Sequence, residues 1–452
     1  MYDSKRPSAP EDFCRYRFYQ KKIKCIVPPL RPHHGDLTEG EGEFPAQLER
    51  LRRAFQLHFP GEYYLPTPIS IEIRECGYDS WFLPELISPE LRTINIRCDG
   101  CPADQLGWPK GETLSMLCAE APGLQELNLC GDCDTISATP DTMSRFEHLQ
   151  VFRCDQAISE AVLQSLASLP HLHMLEIYLS DGLFRDARDV SSTSRHFSSL
   201  KSANLSTNQL ALLARVMQAY LTTSPIEDAR IFLDWVKDAP PAPPEAALHG
   251  LAGLPPGFSH CLTAFSFFGF DSSADEGRYD LSFHEIRPLL LCRALQSLHI
   301  SPGYPLNDFD NSAVQTMAAA WPQLQLLYLT SPRHAPMPCT IRCLEYIARL
   351  CPDLRSLGIS FSSRDERLMH GEMDPSGGQL SLKTLDVGYC VVEDHQVRMV
   401  ASFLSRLFPA LTRIFRHWDR GERNWKSWRA VWAKYLDKRR AYLLSPVFAH
   451  VA

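Results

Sequence analysis

Four cysteines in this sequence have metal-ligand spacing. Cys98 and Cys101 form a CxxC, and so do Cys130 and Cys133. Thiolates from two such pairs make the tetrahedral sulfur set that zinc takes. Each pair follows a strand phrase, and neighbouring strands lie about 5 Å apart, so the four sulfurs could meet at one zinc or redox site. A plainer reading has a Cys just past a strand turn inward and fill the bend of its repeat. Cys390 stands in that place, eight residues after Leu382, with no second Cys nearby. The expectation is thiols in core and loop, with no metal and no cofactor; the quartet is the alternative.

Other chemistry finds no footing. The sequence has no GxSxG, no GxxxxGK[ST], no HExxH and no GxGxxG after a strand. Its sixteen histidines are scattered, and His33–His34 and His171–His173 lack motif partners. These residues point away from an enzyme.

The elements that would position any site come from one recurring phrase: Leu, two variable residues, an apolar residue, one variable residue and another apolar residue, often with Pro two positions ahead. Clear copies are Pro122-Leu124-Leu127-Leu129, Pro170-Leu172-Leu175-Ile177, Pro322-Leu324-Leu327-Leu329 and Pro352-Leu354-Leu357-Ile359. Looser copies begin at Leu91, Leu149, Leu200, Ile226, Leu262, Leu295, Leu382 and Leu411, a mean spacing of about 29 residues. The copy at Ile226, Ala229 and Ile231 is the weakest. Between anchors, apolar residues recur at helical steps: Leu114, Leu117 and Ala121; Ile158, Val162, Leu166 and Ala167; Val314, Met317 and Ala318; Ile341, Leu344, Ile347 and Ala348; Val397, Val400 and Leu404. Neither the strand nor the helix of such a unit can bury its apolar side alone, so the units must stack. The expected fold is an α/β leucine-rich-repeat solenoid of about twelve repeats, with a curved parallel sheet on the concave side, helices on the convex side and a helical C-terminal cap.

The 452 residues divide accordingly into a helical and basic lead over 1–60, a solenoid over 61–416 and a capping helix over 417–452. A Pro-rich insertion near 238–257 and a polar loop over 362–379 interrupt the array. Residues 1–34 carry net +5 and residues 411–443 net +7; the whole chain is −7, leaving −19 for the rest. An acidic array with basic ends argues against binding a phosphate backbone along its length. Trp425, Trp428, Trp432, Leu436 and Leu443 read as one apolar face of the cap. No apolar run is long enough to span a bilayer, and MYDSKRPSAPEDF shows no secretory signal. Neither nucleic acid nor membrane is expected as a partner. Fifteen cysteines then read as reduced thiols of a cytoplasmic or nuclear protein, with Cys118, Cys343 and Cys351 on helices and Cys154 on a strand.

The repeats at Pro352 and Cys390 resemble the cysteine-containing leucine-rich repeats of F-box proteins, in which Leu-x-x-Leu-x-Leu-x-x-Cys leads into a helix ending before Pro-x-Leu. Cys390, Asp394, Val397, Ala401, Pro409 and Leu411 follow that course, with Val392-Glu393 where Ile-Thr is usual. The opening is similar to the segment that follows the F-box in mushroom-type fungal F-box proteins. Tyr2, Asp3, Pro10, Asp12, Phe13, Arg15, Phe18, Tyr19 and Ile23 fit it, and LPELISPELRTINI from Leu83 resembles that family's early strand phrase. The resemblance implies the substrate-receptor part of a cullin–RING ubiquitin ligase, which holds a target and performs no bond chemistry. The family's F-box precedes the Tyr-Asp phrase, and here that phrase begins at Tyr2. The ligase adaptor is therefore expected as a partner only where an F-box lies upstream of Met1; a repeat-only scaffold is the alternative. The target should meet alternate strand positions, between the buried ones: Asn95, Asn128, Arg153, Glu176, Asn204, His299, Tyr328, Asp386 and Phe415. Tyr328 and Phe415 stand out, because aromatic anchors dominate interface energy.

Overall fold

The Pro-x-Leu of each repeat closes a tight turn. The N–H of Leu124 bonds to the carbonyl of Ala121, Leu324 to Trp321, Leu354 to Cys351 and Leu411 to Phe408, at 3.1–3.3 Å. Pro122, Pro322, Pro352 and Pro409 thus occupy the second turn position, where their fixed φ is already correct. The anchor leucines are fully buried. The residue after most anchors then offers its carbonyl to two N–H groups of the next repeat. Arg92 accepts from Gln125 and Glu126, Gln125 from Gln150 and Val151, and Gln325 from Arg355 and Ser356. Within each unit, this forked bond sets the start of an anchored strand relative to the one before it.

The computed structural model describes residues 25–26, 69–74, 87–98, 112–131, 140–179, 183, 196–207, 210–221, 223–234, 258–270, 281–301, 306–330, 337–363, 378–415 and 422–443. The chain falls into two units, Met1–Leu200 and Lys201–Ala452. In the first, β1 (Cys25–Ile26), β2 (Ser70–Arg74), β3 (Thr93–Cys98), β4 (Glu126–Gly131), β5 (Val151–Ala157) and β6 (Met174–Leu179) pair in parallel, each with the next. Between the strands come α1 (Glu112–Glu120), α2 (Pro140–Ser144) and α3 (Glu160–Ala167). The second unit repeats the plan with β7 (Ser202–Thr207), β8 (Asp228–Asp234), β9 (Ala264–Phe270), β10 (Ser297–Ser301), β11 (Leu326–Leu329), β12 (Ser356–Ile359), β13 (Thr384–Asp386) and β14 (Arg413–Phe415). Its helices are α4 (Leu210–Tyr220), α5 (Phe258–Cys261), α6 (Phe283–Ile286), α7 (Asn311–Ala320), α8 (Cys343–Leu350), α9 (Val397–Leu407) and α10 (Glu422–Leu443). Parallel strands joined one by one through helices or turns make each unit an α/β leucine-rich-repeat solenoid.

The twelve anchors introduce β3 to β14, including the weakest, since Ala229, Ile231 and Leu233 of β8 are all buried. The helical periodicities correspond to buried faces: Leu114 and Leu117, Val162 and Leu166, Val314 and Met317, Leu344 and Ile347, Val400 and Leu404. Cys351 caps α8 rather than lying in it. The ladder also extends ahead of the first anchor. β2 lacks the leucine, and the two-residue β1 lies inside the segment read as a helical lead. The rest of that lead, and the insertion near 238–257, lie outside the described residues.

Cap helix α10 packs on α9 through Trp428, Val431 and Tyr435, all fully buried. Trp428 Nε1 donates to the Cys390 carbonyl at 2.8 Å, and Tyr435 Oη donates to the carbonyls of Phe408 and Leu411 at 2.8 and 3.2 Å. The apolar stripe is therefore centred on Val431 and Tyr435, with Trp432 and Leu436 half-buried at its edge. The hydroxyl draws Tyr435 inward because the last turn leaves carbonyls for it to satisfy.

Candidate functional site

All nine proposed contact residues fall in two ladder rows. In the first unit, Glu72, Asn95, Asn128, Arg153 and Glu176 are aligned neighbours across β2 to β6. In the second, Asn204, Arg230, Ser266, His299, Tyr328, Gly358, Asp386 and Phe415 are aligned across β7 to β14. The period of two along each strand and the forked bond between strands produce these rows together.

The first row is tied to itself. Arg153 Nη1 donates to Glu126 Oε1 and, at 3.1 Å, to Asn128 Oδ1; its Nε faces Glu176 Oε2 at 3.5 Å. Asn128 Nδ2 donates to Glu126 Oε1 at 3.2 Å, and the residue is buried. The one guanidinium here is shared between two carboxylates and an amide, so its donors are taken up within the row and the cluster keeps a net negative charge. Asn95 is half-buried beside it.

Two rings of the second row, His299 and Tyr328, continue an aromatic line that begins on the same face one alternate position away. Phe232 of β8 stacks on Phe268 of β9 with ring centroids 5.0 Å apart. Phe268 meets His299 edge-on at 4.5 Å, and His299 stacks on Tyr328 at 5.2 Å. Phe232 and Phe268 share one register position; His299 and Tyr328 share the next position down, so the line steps obliquely between β9 and β10. Tyr328 lies over Gly358, where a Cβ would stand 2.3 Å from its ring. Its Oη is 3.1 Å from Ser356 Oγ, which is 2.6 Å from Thr384 Oγ1. Glycine and hydroxyls together hold the ring in place. All four rings are half-buried.

Two of the proposed residues do other work or sit apart. Asp386 is buried, and its Oδ1 accepts the N–H of Gly388, which has φ +48°. It shapes the turn after β13, a task an Asp-x-Gly sequence performs readily. Phe415 is half-buried on β14, beyond Asp386. Phe232 and Phe268 were missed by the reading of the sequence. The signal was there: in AFSFFGF, burial of Phe265 and Phe267 leaves Ser266 and Phe268 on the opposite face.

The cysteine quartet is out of step. Cys130 is opposite Arg97, whereas Cys98 is opposite Gly131, an offset of one position. Successive positions of a strand face opposite sides of the sheet, and Cys130 shares its side with Asn128. Cys101 and Cys133 lie outside the described residues. Among those residues, no group of three or more His, Cys, Asp or Glu could hold a metal ion. Burial pushes the Cys118 and Cys351 thiols up to about 12 and Cys292 to about 11, and raises Cys154 and Cys343 as well. At neutral pH these thiols are protonated core groups, poor nucleophiles. Cys390 fills its bend, accepting the Phe361 N–H at 2.9 Å. No described helix is long and apolar enough to cross a membrane.

No model of a known protein family matches the chain, and no curated protein does. Among solved structures the chain is similar to an internalin (inlF) from Listeria monocytogenes str. 4b F2365, with TM-score 0.38 and 14% identity over 79% of this chain and 82% of that one. The parallel ladders of the two units, rather than that likeness, define the leucine-rich-repeat fold.

Proposed function

We propose that the chain is a non-catalytic protein-recognition scaffold whose second unit grips a protein target through its outward strand face. The observation that carries this reading is the continuous row Phe232–Phe268–His299–Tyr328. Half-buried aromatics in contact across four strands present a large apolar surface that is already ordered, and such anchors supply most of the energy of an interface. Buried, protonated thiols fit a chain that performs no bond chemistry.

The finer reading is the substrate-receptor part of an F-box-type ubiquitin ligase in the cytoplasm or nucleus. Its support is the resemblance carried by Cys390, Asp394, Val397, Ala401, Pro409 and Leu411 and by the Tyr2-Asp3 opening. The ligase adaptor joins as a partner only through an F-box upstream of Met1.

Two measurements test these readings. Affinity purification of the wild-type chain and of Tyr328→Ala, both checked for native circular dichroism, should show bound polypeptides that the variant loses. The same polypeptides on both would sink the recognition face. For the ligase, the transcript upstream of codon 1 should encode an in-frame Leu-Pro-x-Glu helix; a stop codon directly upstream leaves a repeat-only scaffold.

A further inference from the structure

The spacing of the aromatic row selects among the shapes a bound segment could take; this inference rests on reading that face as a recognition surface. Phe232 and Phe268 form one stacked pair and His299 and Tyr328 another, while the 61° angle between Phe268 and His299 divides them. Although the backbone register steps between β9 and β10, centroid distances of 5.0, 4.5 and 5.2 Å along the rings hold the two pair centres no more than about 9.6 Å apart, two strand spacings. A polyproline II segment repeats its face every three residues, about 9.3 Å. A β-strand repeats its face about every 6.7 Å and falls out of step within one pair. Two turns of an α-helix advance about 10.8 Å and overrun the pair spacing by roughly 1.2 Å. Polyproline II keeps register best.

The positions around the central rings agree. Charge is confined to β8, where Arg230 and Asp234 flank Phe232 and Arg230 is paired with Asp228 at 2.9 Å. On β9 and β10 the flanking positions Ala264, Ser266, Ser297 and Ser301 are small and uncharged. A polyproline II segment has no internal hydrogen bonds, so its carbonyls are free to accept from such hydroxyls. Its bound shape is largely preformed, and aromatic-lined surfaces suit its proline rings.

We propose that this row docks an uncharged, proline-rich segment of a protein partner, laid across β8 to β11 in polyproline II form. Prolines three residues apart sit on the Phe232–Phe268 and His299–Tyr328 pairs.

The test titrates the full chain into a fluorescein-labelled (Ala-Pro-Pro)4 peptide and reads anisotropy. Saturable binding is expected, weakened about tenfold or more by Phe268→Ala and by His299→Glu. His299→Phe, which keeps a ring, and Arg153→Ala, in the other unit, should bind within about threefold of wild type. Gly358→Ala, which forces the Tyr328 ring aside, gives a second route to weakening should Phe268→Ala fail to fold. No saturable binding, or equal binding by wild type, Phe268→Ala and Gly358→Ala, overturns the inference. Preference for cellohexaose or for an amphipathic helical peptide also overturns it, as does a dimer that Phe268→Ala converts to monomer. The recognition face itself fails separately, on retention of polypeptides by Tyr328→Ala.

Discussion

The two units build opposite outward faces on the same inward one. Beneath Arg153, the inward residues Phe152 and Cys154 are buried; beside Phe268, the inward residues Phe265 and Phe267 are buried. Outward, the first unit closes Arg153 with Glu126, Asn128 and Glu176. The second sets Phe232, Phe268, His299 and Tyr328 in contact. The comparison separates what the repeat demands from what it leaves open. Inward positions must exclude water and fill volume, whereas outward ones can be tied up or offered to a partner.

The comparison can be broken at its inward half first. Phe152→Ala and Phe267→Ala should each destabilise the chain by about 3–5 kcal/mol in urea melts, since both leave a large cavity in a packed core. A loss under about 1 kcal/mol at either site would mean that the units do not share a core plan. At the outward half, Phe268→Ala combined with Tyr328→Ala should weaken binding of a purified target by about 2–4 kcal/mol, roughly 30-fold to 1000-fold, by calorimetry. Arg153→Ala should change it by less than about threefold. Equal losses would erase the distinction between the faces.

The buried thiols sharpen the comparison through pH. Their folded pKa values are raised, so the unfolded thiols, with ordinary values near 9, ionise first. Above pH 9 the unfolded state therefore binds fewer protons, and stability falls as pH rises toward about 11 for Cys292 and about 12 for Cys118 and Cys351. Each such thiol removes up to about 1.4 kcal/mol per pH unit in that window. The second unit holds Cys292, Cys343 and Cys351, so urea melts at pH 8 and pH 10 should differ less for Cys351→Ala than for wild type. The smallest effect is that of Arg153→Ala on stability. Its partners are about a third exposed, so a loss of about 0.5–1 kcal/mol is expected in the same melts, diminished by salt.

Much of this fold was legible because its signals are local. The Pro-x-Leu turn, the alternation of the strands and the helical steps each lie within a dozen residues, so Leu124, Leu324, Leu354 and Val400 were identified as core from the sequence alone. β2 was missed because Ser70–Arg74 carries no anchor leucine, and Phe268 because it lies one alternate position past Ser266, beyond the repeated phrase. Asp386 alternates as an outward residue, but it is buried and its carboxylate is taken up by the Gly388 N–H at the left-handed turn.

By itself, then, the sequence determined the parity of the anchored strands and hence which of their residues face outward. Register determined which members meet. Phe268 and His299 are separated by 31 residues, and their 4.5 Å contact is diagonal rather than aligned. The same register set Cys130 opposite Arg97 rather than Cys98, offsetting the spacing that first suggested a metal. Cross-strand neighbours depend on the length and path of everything between them, which no local pattern encodes. Only the stacked repeats decide which side chains become a surface.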